Sequence, residues 1–185
     1  MKNIGIIYNA GIPEAQELAT TILKKLAVPG ESWMSPAENL ETLHERAAQT
    51  GLVITVGGDG TILRAAQVTA PSAIPVVGIN MGRLGFMTEL RVDEALEKLP
   101  FYFNGTHRVE ERNMLQAEAF KAGEGSGPKV EGPFHALNDA VMARGVASRL
   151  VTIAVHIDGA QLTTFRADAV IFSTATGSTG YSLAA

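Results

Sequence analysis

The 185-residue chain contains no cysteine. That excludes a disulfide framework, a thiolate nucleophile and any cysteine-ligated metal. Basic residues are sparse too: 15 Lys and Arg stand against 19 Asp and Glu, for a net charge of −4. No Lys/Arg cluster forms the stripe that nucleic-acid binding needs, so no nucleic-acid partner is expected. No apolar run approaches the ~18 residues of a membrane span. The opening MKNIGIIYNAG lacks a signal-peptide cleavage pattern, and the expectation is a cytoplasmic protein with no membrane partner. Aromatics make up 6%, and the single tryptophan, Trp33, carries no signal of its own. The four histidines show no metal-ligand spacing, and His156 falls on the polar face of a strand. What is present is 46% hydrophobic residues with nothing low-complexity, an ordinary globular composition long enough for one domain or two.

Two rhythms divide the chain near residue 100. Before it, strand and helix signals alternate. Asn3 to Tyr8 reads as a strand, and Pro13 opens a helix through Ala27, since Pro at a first helical turn sacrifices no hydrogen bond. A second helix is expected from Ala37 to Gln49. Strand 52–56, a helix from Thr61 to Val68 and strand 74–80 follow. Val92, Ala95, Leu96 and Leu99 then repeat at helical spacing. Such alternation implies a doubly wound, mostly parallel sheet covered by helices, whose ligands sit beyond the carboxyl ends of the strands. After residue 100 the pattern is antiparallel β. Val151, Ile153, Val155 and Ile157 alternate with more polar neighbours, and Asp158-Gly159 is a hairpin turn. Arg108 to Phe120, Ala140 to Arg144 and Ala169 to Phe172 read as extended, and Ala122 to Pro133 as a loop. The expected fold is therefore an α/β domain over 1–100 and an antiparallel β domain over 101–185, an incomplete sandwich.

Four stretches could carry chemistry. In Gly57-Gly58-Asp59-Gly60-Thr61, a strand meets a helix through glycines that let a phosphate chain approach the backbone. A carboxylate beside phosphate repels it, so Asp59 suits a different role. It could take a proton from a hydroxyl that attacks a phosphoryl group, a reaction otherwise served by positioning and charge stabilisation. Equally, an Asp among glycines can be plain turn chemistry. Gly78 to Phe86 leaves a strand through Asn80-Met81-Gly82-Arg83 and offers Phe86 either to a base or to the core. Asn138-Asp139 could be a buried pair clamping ribose hydroxyls, or a turn. Residues 168–183 run from a strand into a turn rich in hydroxyls and glycines, with Ser178 or Thr179 as helix N-cap; the turn could bind sugar and phosphate oxygens, or be a solvated loop.

Taken together, GGDGTIL (57–63), GINMGRLGFM (78–87), Asn138-Asp139 and DAVIFSTATGSTGYSLA (168–184) resemble the NAD kinases, in that family's order and spacing over most of the chain. GGDGT alone is shared with diacylglycerol and sphingosine kinases; the 78–87 and 173–181 stretches favour NAD kinase. The resemblance implies transfer of phosphate from ATP or polyphosphate to the 2′-hydroxyl of the adenosine ribose of NAD, giving NADP, with Mg²⁺ bridging the donor phosphates and no direct metal ligand. It implies Asp59 as the base, and Gly57, Gly58, Gly60 and Thr61 along phosphate. Phe86, Thr179, Gly180 and Tyr181 would surround adenosine, with Asn80 and Thr176 in the same site. Asn138 and Asp139 would bond the dinucleotide, and Asp168 would contact NAD, in a neighbouring subunit's site of a homodimer or homotetramer. Alternatives are a lipid kinase of the GGDGT group and a non-catalytic NAD-binding module. The chain departs from the family at Ala169 (Gly), Ala175 (Pro), Asp139 (Glu) and Gly180 (Ala). Family members also continue past SLAA, so a truncated form lacking the C-terminal part is expected.

Overall fold

The computed structural model describes residues 3–25, 31–41, 43–82, 85–121, 129–145 and 150–185. The chain divides into two compact units, Met1–Glu110 and Glu111–Ala185.

In the first unit β1 (Asn3–Tyr8), β2 (Trp33–Pro36), β3 (Thr50–Gly57), β4 (Val76–Asn80) and β5 (Leu90–Arg91) form one sheet, ordered β2-β1-β3-β4-β5. Every pairing is parallel. Side chains alternate across each strand, and both faces are covered. Ile4, Ile6, Leu52, Ile54, Val56, Val77 and Ile79 pack against α1 (Pro13–Lys25) and α4 (Val92–Phe103). Ile7 and Val53 pack the other way, with Ala47 of α2 (His44–Ala48) and Ala65 and Val68 of α3 (Asp59–Thr69). This is the expected doubly wound sheet. Sequence order reverses between neighbouring β1 and β3: the chain goes outward to β2 on one side and to β4 on the other. Their carboxyl ends therefore flank a topological switch point, where open parallel sheets bind ligands.

One expected helix is mostly absent. Residues 33–36 form edge strand β2, and among the described residues of the span 37–49 only His44–Ala48 is helical. Ala37, Leu40, Leu43 and Ala47 are nevertheless all buried in one cluster with Trp33. Their spacing records burial of one side of a compact turn rather than a continuous helix. Residues 26–27, at the end of the expected first helix, lie outside the described residues.

The second unit contains three antiparallel pairs: β6 (Leu115–Lys121) with β7 (Lys129–Ala136), β8 (Asp139–Ala143) with β11 (Ala169–Ser173), and β9 (Val151–Ile157) with β10 (Ala160–Ala167). The β9–β10 turn is Asp158-Gly159, with φ of +50° and +80°, the left-handed pair a two-residue hairpin demands. Two expectations change. Residues 108–114 carry no regular element, so the extended reading holds only from Leu115. Residues 129–133, expected as loop, belong to β7, whose Lys129, Val130 and Glu131 pair with β6; residues 122–128 lie outside the described residues.

Candidate functional site

β3 ends at Gly57, Gly58 caps α3 in extended conformation, and Asp59 is the helix's first residue. Strand, glycine step and helix follow one another without a spare residue. A Cβ on Gly57 would run into the Thr61 side chain, which is buried beneath it. On Gly58 or Gly60 it would meet nothing within 4 Å, so this backbone stands open to a ligand. At the end of neighbouring β4, the Met81 N–H donates to Gly57 O at 2.7 Å, and Asn80 Oδ1 accepts from Gly82 N–H at 2.9 Å. Asn80 is buried, so its amide shapes the turn from beneath.

The two polar turns meet at one carboxylate. Asp59 Oδ2 accepts the Phe86 N–H at 2.8 Å and Oδ1 the Met87 N–H at 3.1 Å. Gly85 makes this possible, because its Cβ would overlap the Asp59 carboxylate. Two N–H donors occupy only two of the roughly four lone-pair sites of a carboxylate, so each oxygen can still accept another proton donor. Asp59 is only half-buried, and a negative charge at a helix N-terminus is favourable. Phe86 is 81% exposed, which excludes the core reading of that ring. Arg83 and Leu84 lie outside the described residues.

In the second unit β8 and β11 bring Asn138-Asp139 beside the 173–181 turn, with Asp139 opposite Ser173. Both members of the pair are half-buried rather than buried. The Thr174 N–H donates to Asn138 O at 2.8 Å. Asn138 Oδ1 is shielded from solvent and has no hydrogen-bond partner among the described residues. Residues 177–179 form a single 3₁₀ turn and α5 (Tyr181–Ala184) follows, with Gly180 rather than Ser178 or Thr179 at its N-cap. The hydroxyls are committed backwards: Ser178 Oγ donates to Ala175 O at 2.7 Å and Thr179 Oγ1 to Thr176 O at 3.4 Å. A short polar side chain satisfied by the preceding turn does not reach forward to cap. Thr179, Gly180 and Tyr181 are exposed, Tyr181 at 55%. Asp168 pairs with Arg144 at 2.7 Å, and Thr176 Oγ1 accepts from Arg112 at 3.3 Å.

The residues expected to act together thus form two groups: 57–61 with 80–82 and 85–87 in the first unit, and 138–139 with 174–181 in the second. Sequence reasoning passed over Gly85, Thr174, Arg112 and Arg144. Gly85 lies inside the GINMGRLGFM motif, but the need for a glycine there becomes visible only once Asp59 is beside it. Among the described residues, no three or more His, Cys, Asp or Glu side chains are grouped to hold a metal ion, and no helix is long and apolar enough to cross a membrane.

Comparison with known proteins matches residues 27–107 to the ATP-NAD kinase N-terminal domain and residues 137–185 to the ATP-NAD kinase C-terminal domain. A curated NAD kinase of Dehalococcoides mccartyi (strain CBDB1) is 41% identical over 185 residues, all of this chain and 64% of its own length. The NAD kinase of Heliobacterium modesticaldum is 37% identical over 194 residues, again all of this chain and 66% of the relative. The chain therefore spans about two thirds of the length of the curated relatives it matches. Yeast NADH kinase complexed with NADH has the same fold at a TM-score of 0.76 and 24% identity, over 100% of this chain and 60% of that one. An Archaeoglobus fulgidus NAD kinase in complex with ATP aligns at 0.67 and 24%, over 99% of this chain and 65% of the other. With its two successive domain matches and curated relatives at about 40% identity, the chain belongs to the NAD kinase family.

Proposed function

We propose that the protein phosphorylates the 2′-hydroxyl of the adenosine ribose of NAD to give NADP, with ATP or polyphosphate as donor. The observation that carries this reading is the Asp59 carboxylate, held at the switch point by the Phe86 and Met87 amides with lone pairs to spare. In the proposed step Asp59 accepts the hydroxyl proton as the ribose oxygen bonds to the terminal phosphorus. The bond from that phosphorus to the donor's bridging oxygen breaks, releasing ADP or the shortened polyphosphate. Gly57, Gly58, Gly60 and Thr61 lie along phosphate, which the open space at Gly58 and Gly60 supports. Asn80 would shape the rim and Phe86 present its exposed ring to adenosine.

Asn138, Asp139, Thr176, Thr179, Gly180 and Tyr181, all in the second unit, would contact the dinucleotide in this reading. Asn138 Oδ1, a buried acceptor without a partner among the described residues, suits a hydroxyl or amino donor of the adenosine. Asp168 would reach NAD in a neighbouring subunit of a cytoplasmic homo-oligomer; exposed apolar side chains of the second unit, such as Phe134, Phe165 and Phe172, support association. The functional division follows the motifs, with GGDGT in the α/β part before residue 100 and the 173–181 turn in the β part after it. Mg²⁺ fits as an ion carried on the donor phosphates, since it binds through phosphates, water and at most one or two carboxylates. Bound there, it neutralises developing phosphate charge. The test is production of NADP from NAD and ATP with Mg²⁺, compared with chelator and with diacylglycerol as acceptor. Phosphorylation of diacylglycerol but not NAD would overturn the reading.

A further inference from the structure

We infer that Thr174 is a positioning residue of the dinucleotide site: one buried hydroxyl clamps the Asn138 strand end to the Gly177–Tyr181 turn. The inference rests on the proposed NAD site in that unit. Thr174 is only 7% exposed. Its Oγ1 donates to Leu137 O at 2.6 Å and accepts the Gly177 N–H at 3.0 Å, while its own N–H donates to Asn138 O at 2.8 Å. Two of these bonds tie Thr174 to the Leu137-Asn138 segment, 37 positions away at Leu137, and the third ties the same residue to the turn three positions onward.

The clamp is tight on both sides. A Cβ on Gly177 would overlap the Asn138 backbone, so the turn is seated directly on that residue. The Asn138 amide lies near Gly180, its Nδ2 being 3.7 Å from where a Gly180 Cβ would stand. Asn138 Oδ1, the unpartnered buried acceptor, is therefore set relative to Thr179, Gly180 and Tyr181 by the Thr174 hydroxyl. Thr174 itself is covered and is not placed against nucleotide. Its effect on binding passes through the two segments it holds. Valine has the same shape but neither donor nor acceptor, so it would leave both Leu137 O and the Gly177 N–H without their partner. Serine keeps both bonds and loses one methyl group.

The experiment compares wild type, T174V and T174S by two readouts: NAD affinity by calorimetry, and exchange of the Gly177 amide proton by NMR without nucleotide. T174V is expected to weaken NAD about tenfold, the scale of one to two lost hydrogen bonds, while T174S stays within roughly threefold of wild type. Gly177 exchange should accelerate in T174V and stay slow in T174S. Unchanged Gly177 exchange in T174V overturns the clamp, whatever NAD does. Faster exchange with unchanged NAD affinity overturns the positioning role. If T174V unfolds the second unit, T174S decides: serine binding NAD as poorly as a tenfold-weakened site, while folded, overturns the hydroxyl's role, and retained affinity with slow Gly177 exchange supports it. A wild-type chain that binds no NAD while Gly177 responds to T174V would instead defeat the reading of the site and leave the clamp as a structural contact.

Discussion

Replacing Asp59 by Asn tests more than the loss of a base. A carboxylate offers acceptors to both amides, whereas an amide side chain offers one acceptor oxygen and an NH₂ group. In D59N the Phe86 or the Met87 N–H, now bonded at 2.8 and 3.1 Å, must face another donor. One hydrogen bond to a charged acceptor is worth about 1.5–3 kcal/mol, and the lost charge at the start of α3 a further ~0.3–1 kcal/mol. Because Asp59 is only half-buried, the lower end applies, about 2 kcal/mol in all. For a unit of this size that is a fall of roughly 8–16 °C in thermal midpoint. In an active preparation, kcat should also drop by about 10²–10⁴, the usual contribution of a general base. Circular dichroism melting and a coupled NADP assay read the two effects separately. A variant that melts within about 2 °C of wild type refutes the energetic argument. One that turns over at near wild-type rate refutes the base.

Gly85→Ala should act on the same contact from the other side, evicting the carboxylate; its stability loss should be clearly less than additive with that of D59N, and full additivity would mean the contact is not shared. Tyr181→Ala should weaken NAD by ~1–3 kcal/mol, as for a ring stacked on a base, and ATP far less; equal losses measured by calorimetry would remove Tyr181 from the adenosine site. Thr50→Val strands the buried Trp33 indole N–H, now 3.0 Å from Thr50 Oγ1, and should cost about 1–3 kcal/mol in denaturant unfolding followed by Trp fluorescence; an unchanged midpoint would show that the bond contributes nothing. Glu94 is held below the usual carboxylate range first by the Lys98 hydrogen bond, then by the Arg91 N–H. Its folded value being the lower one, the stability it gives is present above the ordinary value and lost as pH falls through the lowered value. Glu94→Gln should therefore flatten the acid side of the Tm–pH curve, and an unaltered curve would count against that linkage.

Local chemistry made much of this fold legible. Residues 52–56 of β3 are mostly apolar and β-branched because both faces of the strand are covered, and α1 announces itself through Pro13 and a buried Ala15, Ala19, Ile22 stripe. Asp158-Gly159 identifies its hairpin because few residue pairs accept the backbone found there. β2 was not legible. Its four residues are too short for a period, and the apolar positions after it match a helix as well as a folded-back turn. What fixes β2 is Trp33 lying across Gly5 on β1, where any Cβ would strike the indole. Nothing within either segment advertises that contact.

The candidate site divides the same way. Asp59 could be singled out from sequence because a carboxylate amid phosphate-accommodating glycines is chemically odd, and the oddity is local. The geometry that gives it meaning is not local: Phe86 and Met87 are brought to it from positions 27 and 28 residues onward. Gly85 is required by an atom of Asp59 rather than by its own backbone, since its φ is not in the left-handed region. A glycine demanded by a turn can be read from its neighbours, whereas one demanded by a distant side chain cannot. Thr174 follows the same logic, as its hydroxyl matters because of Leu137 O and the Gly177 N–H, and a Thr in a Ser/Thr-rich stretch looks like any other. Sequence therefore exposes the residues that would face substrate, whose chemistry is unusual where they stand. It hides the ones that hold them, whose chemistry is ordinary until the chain folds.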